Sequence, residues 1–146
     1  MQYENTDIEK VDMSFLKDYD VQVFDNPNEL KKKIIEKNII QNKSRILAGY
    51  CWDWISKADP KGDKYDIDIP EYDFKMKWNF NNTIWAIDKD SVEQVGCIHT
   101  SQELEFDYIG VLIWKDLRHE DGKIVTDFRE RAQKDRNYGS FKGIKS

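Results

Sequence analysis

The chain has 146 residues, 35% of them charged and 39% hydrophobic, with a formal net charge of −5. Five Trp, seven Tyr and seven Phe argue against global disorder, and the length suits one domain with a real core. No apolar stretch reaches a membrane span, no basic start followed by an apolar block marks a signal peptide, and two cysteines make neither a disulfide framework nor a zinc site. A cytoplasmic protein with reduced thiols at Cys51 and Cys97, away from any membrane, is the expectation. The charge is uneven. Residues 1–30 hold eight acids and two lysines, a net of −6, which leaves +1 for the rest. Residues 129–145 are locally basic, but a dedicated nucleic-acid binder would show a stronger bias.

Residues 1–18 lack periodicity and read as an acidic arm. "DVQVFD" (20–25) alternates apolar and polar residues and predicts a short strand. "NPNELKKKIIEKNI" then opens a helix: Asn26 suits the N-cap, Pro27 the first helical position, and Glu29 has the capping-box spacing. Leu30, Ile34 and Ile35 share one face, and Lys31, Lys32 and Lys33 read as a solvated one. "SRILAGYCW" (44–52) predicts a strand and "KADPKGDK" (57–64) a turn-rich loop. "YDIDIPEYDFKMKWNF" predicts one or two short strands interrupted at Pro70, and "TIWAID" (83–88) another. Two further strands, around 95–99 and 108–113, flank a turn or short helix. "HEDGK" (119–123) is a turn, "KIVTDF" a brief strand and "RERAQKDR" a short polar helix, before a flexible tail at 137–146. Apolar strands separated by a helix and short crossovers predict an α/β fold. Its sheet is mainly parallel and flanked by helices, its strands are buried on both faces, and an antiparallel insertion is a candidate at 65–88.

Several chemistries lack their residues. The 146 residues contain no G-x-x-x-x-G-K-S/T loop, no G-x-G-x-x-G and no nucleophile elbow, and His99 and His119 show no metal-ligand spacing. One acidic cluster remains. Asp66, Asp68, Glu71 and Asp73 precede Lys75, and acid-x-lysine at 73–75 is a spacing used by magnesium-dependent nucleases. The other reading is a solvent-facing strand edge with opposite charges. Tyr50, Trp52, Trp54, Trp78 and Trp85 are candidates both for stacking on bases and for packing a core.

The stretch "GCIHTSQELEFDYIGVLI" (96–113) sets a polar segment, His99 to Asp107, between two apolar runs. Strand, then Thr or His, two residues, Gln or Lys, Gly-Leu-Glu-Phe, then strand is the pattern of motif V in superfamily-one helicases, and residues 98–113 resemble it. With "SRILAGYCWDW" (44–54), "DIDIPEYDFKMKWN" and "DGKIVTD", the chain resembles a bacterial family carrying a schlafen-type P-loop DNA/RNA helicase domain, over most of residues 20–136. The resemblance implies the second RecA-like domain of a helicase-like NTPase, incomplete and spanning 19–136. It implies that Gln102 and Glu105 face a nucleotide, and that His99 and Thr100 face a nucleic-acid backbone. Polar side chains at the carboxyl end of a parallel strand suit such a place.

The chain departs from the family pattern at three points. Glu103 stands where the family has Gly, adding bulk and negative charge where a backbone would approach phosphate. Trp114-Lys115 replaces a Gly-Pro. The first RecA-like domain and the final arginine motif are not within the 146 residues, so ATP and magnesium are implied only for a complete family protein. The expectation is therefore a non-catalytic module, a fragment or stand-alone copy, with no cofactor of its own. Nucleic acid, a nucleotide, a partner ATPase domain, or a second copy meeting it through the exposed domain interface are its candidate partners. The alternatives are a magnesium nuclease using Asp66, Asp68, Asp73 and Lys75, and a degenerate remnant.

Overall fold

The structure, a computed structural model, describes residues 14–58, 62–78, 85, 87–102 and 104–132. After a 3-10 turn at Ser14–Asp18 the chain forms α1, Pro27–Gln41. Asn26 caps it, its side chain accepting from the Asn28 N–H at 2.9 Å, and Asn42 ends it in the left-handed conformation with φ 53°. Strand β1, Ser44–Ala48, follows at once. Next come β2, Ile67–Ile69, and β3, Phe74–Trp78, joined by a 3-10 turn at Pro70–Tyr72. Strand β4, Gln94–Gly96, leads into α2, the single turn Ile98–Ser101, and then into β5, Tyr108–Leu112. A hairpin of β6, Leu117–Glu120, and β7, Lys123–Thr126, turns at Asp121 and Gly122, both at positive φ, as Asp-Gly hairpins do.

Five strands form one sheet in the order β2-β3-β4-β1-β5, and β6-β7 stand apart as a second. Strands β3, β4, β1 and β5 run parallel, and β2 pairs antiparallel with β3. The fold is α/β, with the antiparallel pair where 65–88 was expected to supply it.

Because successive residues alternate across a sheet, the registers sort every strand residue onto one of two faces. Ile46 pairs with both Val95 and Gly110, Val95 with Trp78, and Ile67 and Ile69 with Met76 and Phe74. All of these lie on the face that α1 covers, where Ile34 completes the buried core and Leu30 and Ile35 pack against it. Gly110 lets the helix close: a Cβ there would stand 3.0 Å from both Leu30 and Ile34 side-chain atoms.

The other face holds Arg45, Leu47, Gly96, Lys77, Ile109 and Val111 by the same registers. Trp85 lies on it so closely that a Cβ on Gly96 would come within 2.5 Å of the indole. Phe106 meets Trp85 edge-on at 6.1 Å, and Arg45 approaches the same ring at 5.9 Å. Arg45 is fully buried at the amino end of β1. It donates to Asn38 Oδ1 at 2.7 Å, Asn42 Oδ1 at 3.0 Å and the Asp88 carbonyl at 3.0 Å, tying the end of α1 to the sheet. Burial lowers its pKa, and Asp88 partly offsets that.

Two expectations need correction. "DVQVFD" is not a strand: residues 20–24 are irregular and join no sheet, although they lie across a cavity from the edge strand β5. Strand β5 is not buried on both faces. It is an edge strand, with Ile109, Val111 and Ile113 48%, 55% and 64% exposed and only Gly110 and Leu112 buried. The predicted strand 83–88 falls largely outside the described residues, and its described members Trp85 and Ile87 lie in turns. Residues 1–13 of the acidic arm, Glu103, the end of the predicted "RERAQKDR" helix and the tail at 137–146 also lie outside them. Within that helix, Phe128–Glu130 is a 3-10 turn.

Candidate functional site

Parallel strands end on the same side of a sheet, so the residues that follow β3, β4, β1 and β5 gather along one carboxyl edge. Such edges are where open α/β sheets bind ligands. Here the edge is aromatic. Trp78 ends β3, His99 follows β4, Tyr50 and Trp52 follow β1, and Trp114 follows β5. Tyr50 stacks on Trp78 at 5.1 Å and 21°, and leans against His99 at 6.2 Å. Trp52 meets Trp78 edge-on at 6.4 Å and Trp114 at 5.1 Å. The rings thus run in a continuous row from His99 to Trp114. Trp78 is buried, His99 is exposed, and Tyr50, Trp52 and Trp114 are half-buried and pack against the core. Two cations lie on neighbouring rings, Lys57 over Trp54 at 5.0 Å and Lys115 over Trp114 at 5.6 Å.

The turn that carries His99 is set by its own polar atoms. The Thr100 hydroxyl accepts from the Cys97 N–H at 3.0 Å and donates to the Cys97 carbonyl at 2.9 Å, closing α2 on itself. Tyr50 donates its hydroxyl proton to Cys97 Sγ at 3.4 Å, locking the loop after β1 to the turn after β4. Cys51, on that loop, is half-buried. Burial first, and then its hydrogen bond to Asp116, push its thiol up to about 12. The chain returns to this edge at Ala132, whose N–H donates to the Tyr50 carbonyl at 2.8 Å. Just before it, Arg129 grips Asp127 through two 2.8 Å hydrogen bonds and, with Arg118 at 3.8 Å, holds that carboxyl at about 2.

Of the residues singled out from sequence, His99, Gln102 and Glu105 are exposed along α2 and the crossover to β5, and Thr100 is half-buried with its hydroxyl engaged in the turn. His99 and Thr100 stand at the carboxyl end of β4, where the aromatic row begins, whereas Glu105 lies just before the amino end of β5, two residues ahead of Asp107, whose N–H donates to the Lys43 carbonyl before β1. Trp85 and Trp78 are core residues. Trp114 belongs to the row and was missed. Its position directly after an apolar strand, like Tyr50 after β1, was the available signal.

The acidic cluster does not come together. Asp66 is buried and accepts from the Ser56 N–H at 2.7 Å, the Ser56 hydroxyl at 2.6 Å and the Trp78 N–H at 2.7 Å. It is a structural carboxylate that secures a loop to β3. Asp68 faces Lys75 across the β2-β3 pair at 3.9 Å, and Asp73 sits in the left-handed turn before β3. Among the described residues no group of three or more His, Cys, Asp or Glu stands together as metal ligands would. No helix there is long and apolar enough to cross a membrane.

The chain is 23% identical over 125 residues to the uncharacterized protein YPL245W of Saccharomyces cerevisiae, a match covering 83% of this chain and 26% of the yeast protein. The chain therefore spans about a quarter of the length of that relative. No solved structure matches it. A family model described as Schlafen group 3, DNA/RNA helicase domain, matches residues 2–143, and the chain belongs to that family.

Proposed function

We propose that this chain is a non-catalytic binding module of a helicase-like protein, and that it holds single-stranded nucleic acid along the carboxyl edge of its sheet. One observation carries the reading: a row of aromatic rings from His99 to Trp114 caps the ends of four parallel strands. Bases stack on such rings without regard to sequence, and the cations Lys57 and Lys115 stand beside them to meet phosphates. In this reading the segment 98–113 acts as motif V of a second RecA-like domain. His99 and Thr100 meet the nucleic-acid backbone, and Gln102 and Glu105 lie toward a nucleotide that a partner ATPase domain binds with magnesium. The sequence contains no phosphate loop, so the reading assigns ATP hydrolysis to that partner.

The test is salt-dependent binding of fluorescent single-stranded RNA and DNA to the whole chain. Affinity is expected to fall with salt with a slope equivalent to about two phosphate contacts. His99→Ala is expected to weaken binding about tenfold, because it removes both a backbone contact and the first ring of the row. No binding at low salt, or an unchanged affinity for His99→Ala, would exclude the reading.

A further inference from the structure

We infer that a notch in the sheet between β3 and β4 is a binding site for a small sugar phosphate. Strand β4 begins late. It meets β3 only at Lys77 with Gln94 and Trp78 with Val95, so Phe74, Lys75 and Met76 have no strand beside them on that side. The 3-10 turn Lys89–Glu93 leads into β4 there. A cavity of about 340 Å³ remains, lined by Lys31 of α1, Lys75 and Lys77 of β3, Asp90 and Glu93 of the turn, and Gln94. Ligand sites run from about 300 to 1,000 Å³, so this one suits a small molecule. None of these residues belongs to the aromatic row, and the inference does not depend on nucleic-acid binding at the carboxyl edge.

The lining identifies the chemistry of the ligand. Alternation along β3 puts Lys75 and Lys77 on one face, and Lys31 joins them from the helix. Lys77 donates to the Gly62 carbonyl at 2.8 Å, Lys31 reaches Glu93 at 2.8 Å, and Lys75 stands 3.9 Å from Asp68 in a long, half-exposed pair. An ammonium carries three protons, so each lysine can keep these contacts and still donate to an anion. The rest of the lining accepts. Gln94 Oε1 is buried and meets no donor among the described residues, a cost that a ligand hydroxyl would remove. Asp90 and Glu93 add two carboxylates beside it in the chain. A bare anion would meet those carboxylates and leave Gln94 unpaired, and a bare cation would meet three lysines. A phosphate monoester on a polyhydroxylated carbon chain satisfies both sets. Its phosphate takes the lysines, and its hydroxyls donate to Gln94 and the carboxylates.

An NMR titration of the whole chain with ribose 5-phosphate, inorganic phosphate and ribose tests it. Ribose 5-phosphate is expected to bind saturably at millimolar concentration, shifting the amides of Lys75, Lys77 and Gln94. It should bind at least about tenfold tighter than either fragment, because each fragment meets only half of the lining. Lys75→Ala should weaken it about tenfold, the worth of one charge-assisted hydrogen bond. The Lys75 side chain is 46% exposed, so the melting temperature of that variant should match wild type. Gln94→Met keeps the bulk but removes the acceptor, and should weaken ribose 5-phosphate while leaving inorganic phosphate unchanged. No saturable binding of ribose 5-phosphate, inorganic phosphate binding as tightly, an unchanged affinity for Lys75→Ala, or a Gln94→Met loss shared equally by inorganic phosphate would overturn the inference.

Discussion

The two faces of the five-stranded sheet solve one problem in different ways. Both must hold a β1 residue and a glycine against something bulky. On the helix face Ile46 is wholly buried beside α1, and Gly110 gives room to Leu30 and Ile34. On the opposite face Arg45 is equally buried but polar, and Gly96 gives room to the Trp85 indole. The first face is closed by apolar packing, aliphatic under α1 and aromatic at Phe74 and Trp78. The second is closed only near β4 and β1, and opens toward β5, where Ile109 and Val111 meet solvent. The lesson is that strand hydrophobicity does not report burial. The face a residue occupies, and what covers that face, does: Ile67 and Ile69 are buried on the edge strand β2, whereas Ile109 and Val111 are exposed on the edge strand β5.

The largest test of that contrast removes the same kind of group from each face. Ile46→Ala should destabilise the chain by about 3–4 kcal/mol, the cost of a core cavity, whereas Val111→Ala should cost less than about 0.5 kcal/mol. Equal losses in denaturant melts would mean that the open face is covered. The glycines give a middle-sized test. Gly96→Ala drives a Cβ into a buried ring and should cost about 2–3 kcal/mol, while Gly110→Ala presses on flexible aliphatic side chains and should cost about 1 kcal/mol. Urea midpoints rank the two, and a reversed order would place the tighter packing under α1.

The smallest effect lies in the 3-10 turn beyond the β6-β7 hairpin. Asp127 titrates at about 2 because Arg129, and then Arg118, favour its charged form. A folded pKa below the unfolded one contributes stability above the ordinary carboxylate range, and that contribution is lost as pH falls from about 4 through 2. Arg129→Ala should bring the carboxyl resonance back toward its ordinary midpoint in an NMR titration, with little change in stability at neutral pH. A midpoint that stays near 2 would shift the cause to Arg118.

Much of this was legible in the sequence, and the reason differs by element. Asn26-Pro27 and the spacing of Leu30, Ile34 and Ile35 specified α1, because capping and helical periodicity are local. Asp121-Gly122 specified the hairpin for the same reason. Local signals failed where the outcome depended on distant pairing. Residues 20–25 alternate like a strand but pair with none, and residues 108–113 look like a central strand but lie at an edge. Asp66 looked like one member of an acidic cluster. Its role was set by Ser56 and the Trp78 N–H, ten and twelve residues away, which only the fold brings to it. The polar stretch at 99–105 was found from its own residues. Tyr50, Trp52 and Trp78 of the aromatic row beside it were candidates from sequence, but Trp114 and the arrangement of the row were not, since it joins the ends of four strands.

That row is the account's central claim, and hydrogen–deuterium exchange of the whole chain with and without single-stranded RNA tests it most directly. The account predicts slowed exchange in residues 49–54 and 97–102, with β6 and β7 unchanged. Protection confined to the hairpin or to α1, or no protection at RNA concentrations that saturate binding, would contradict it.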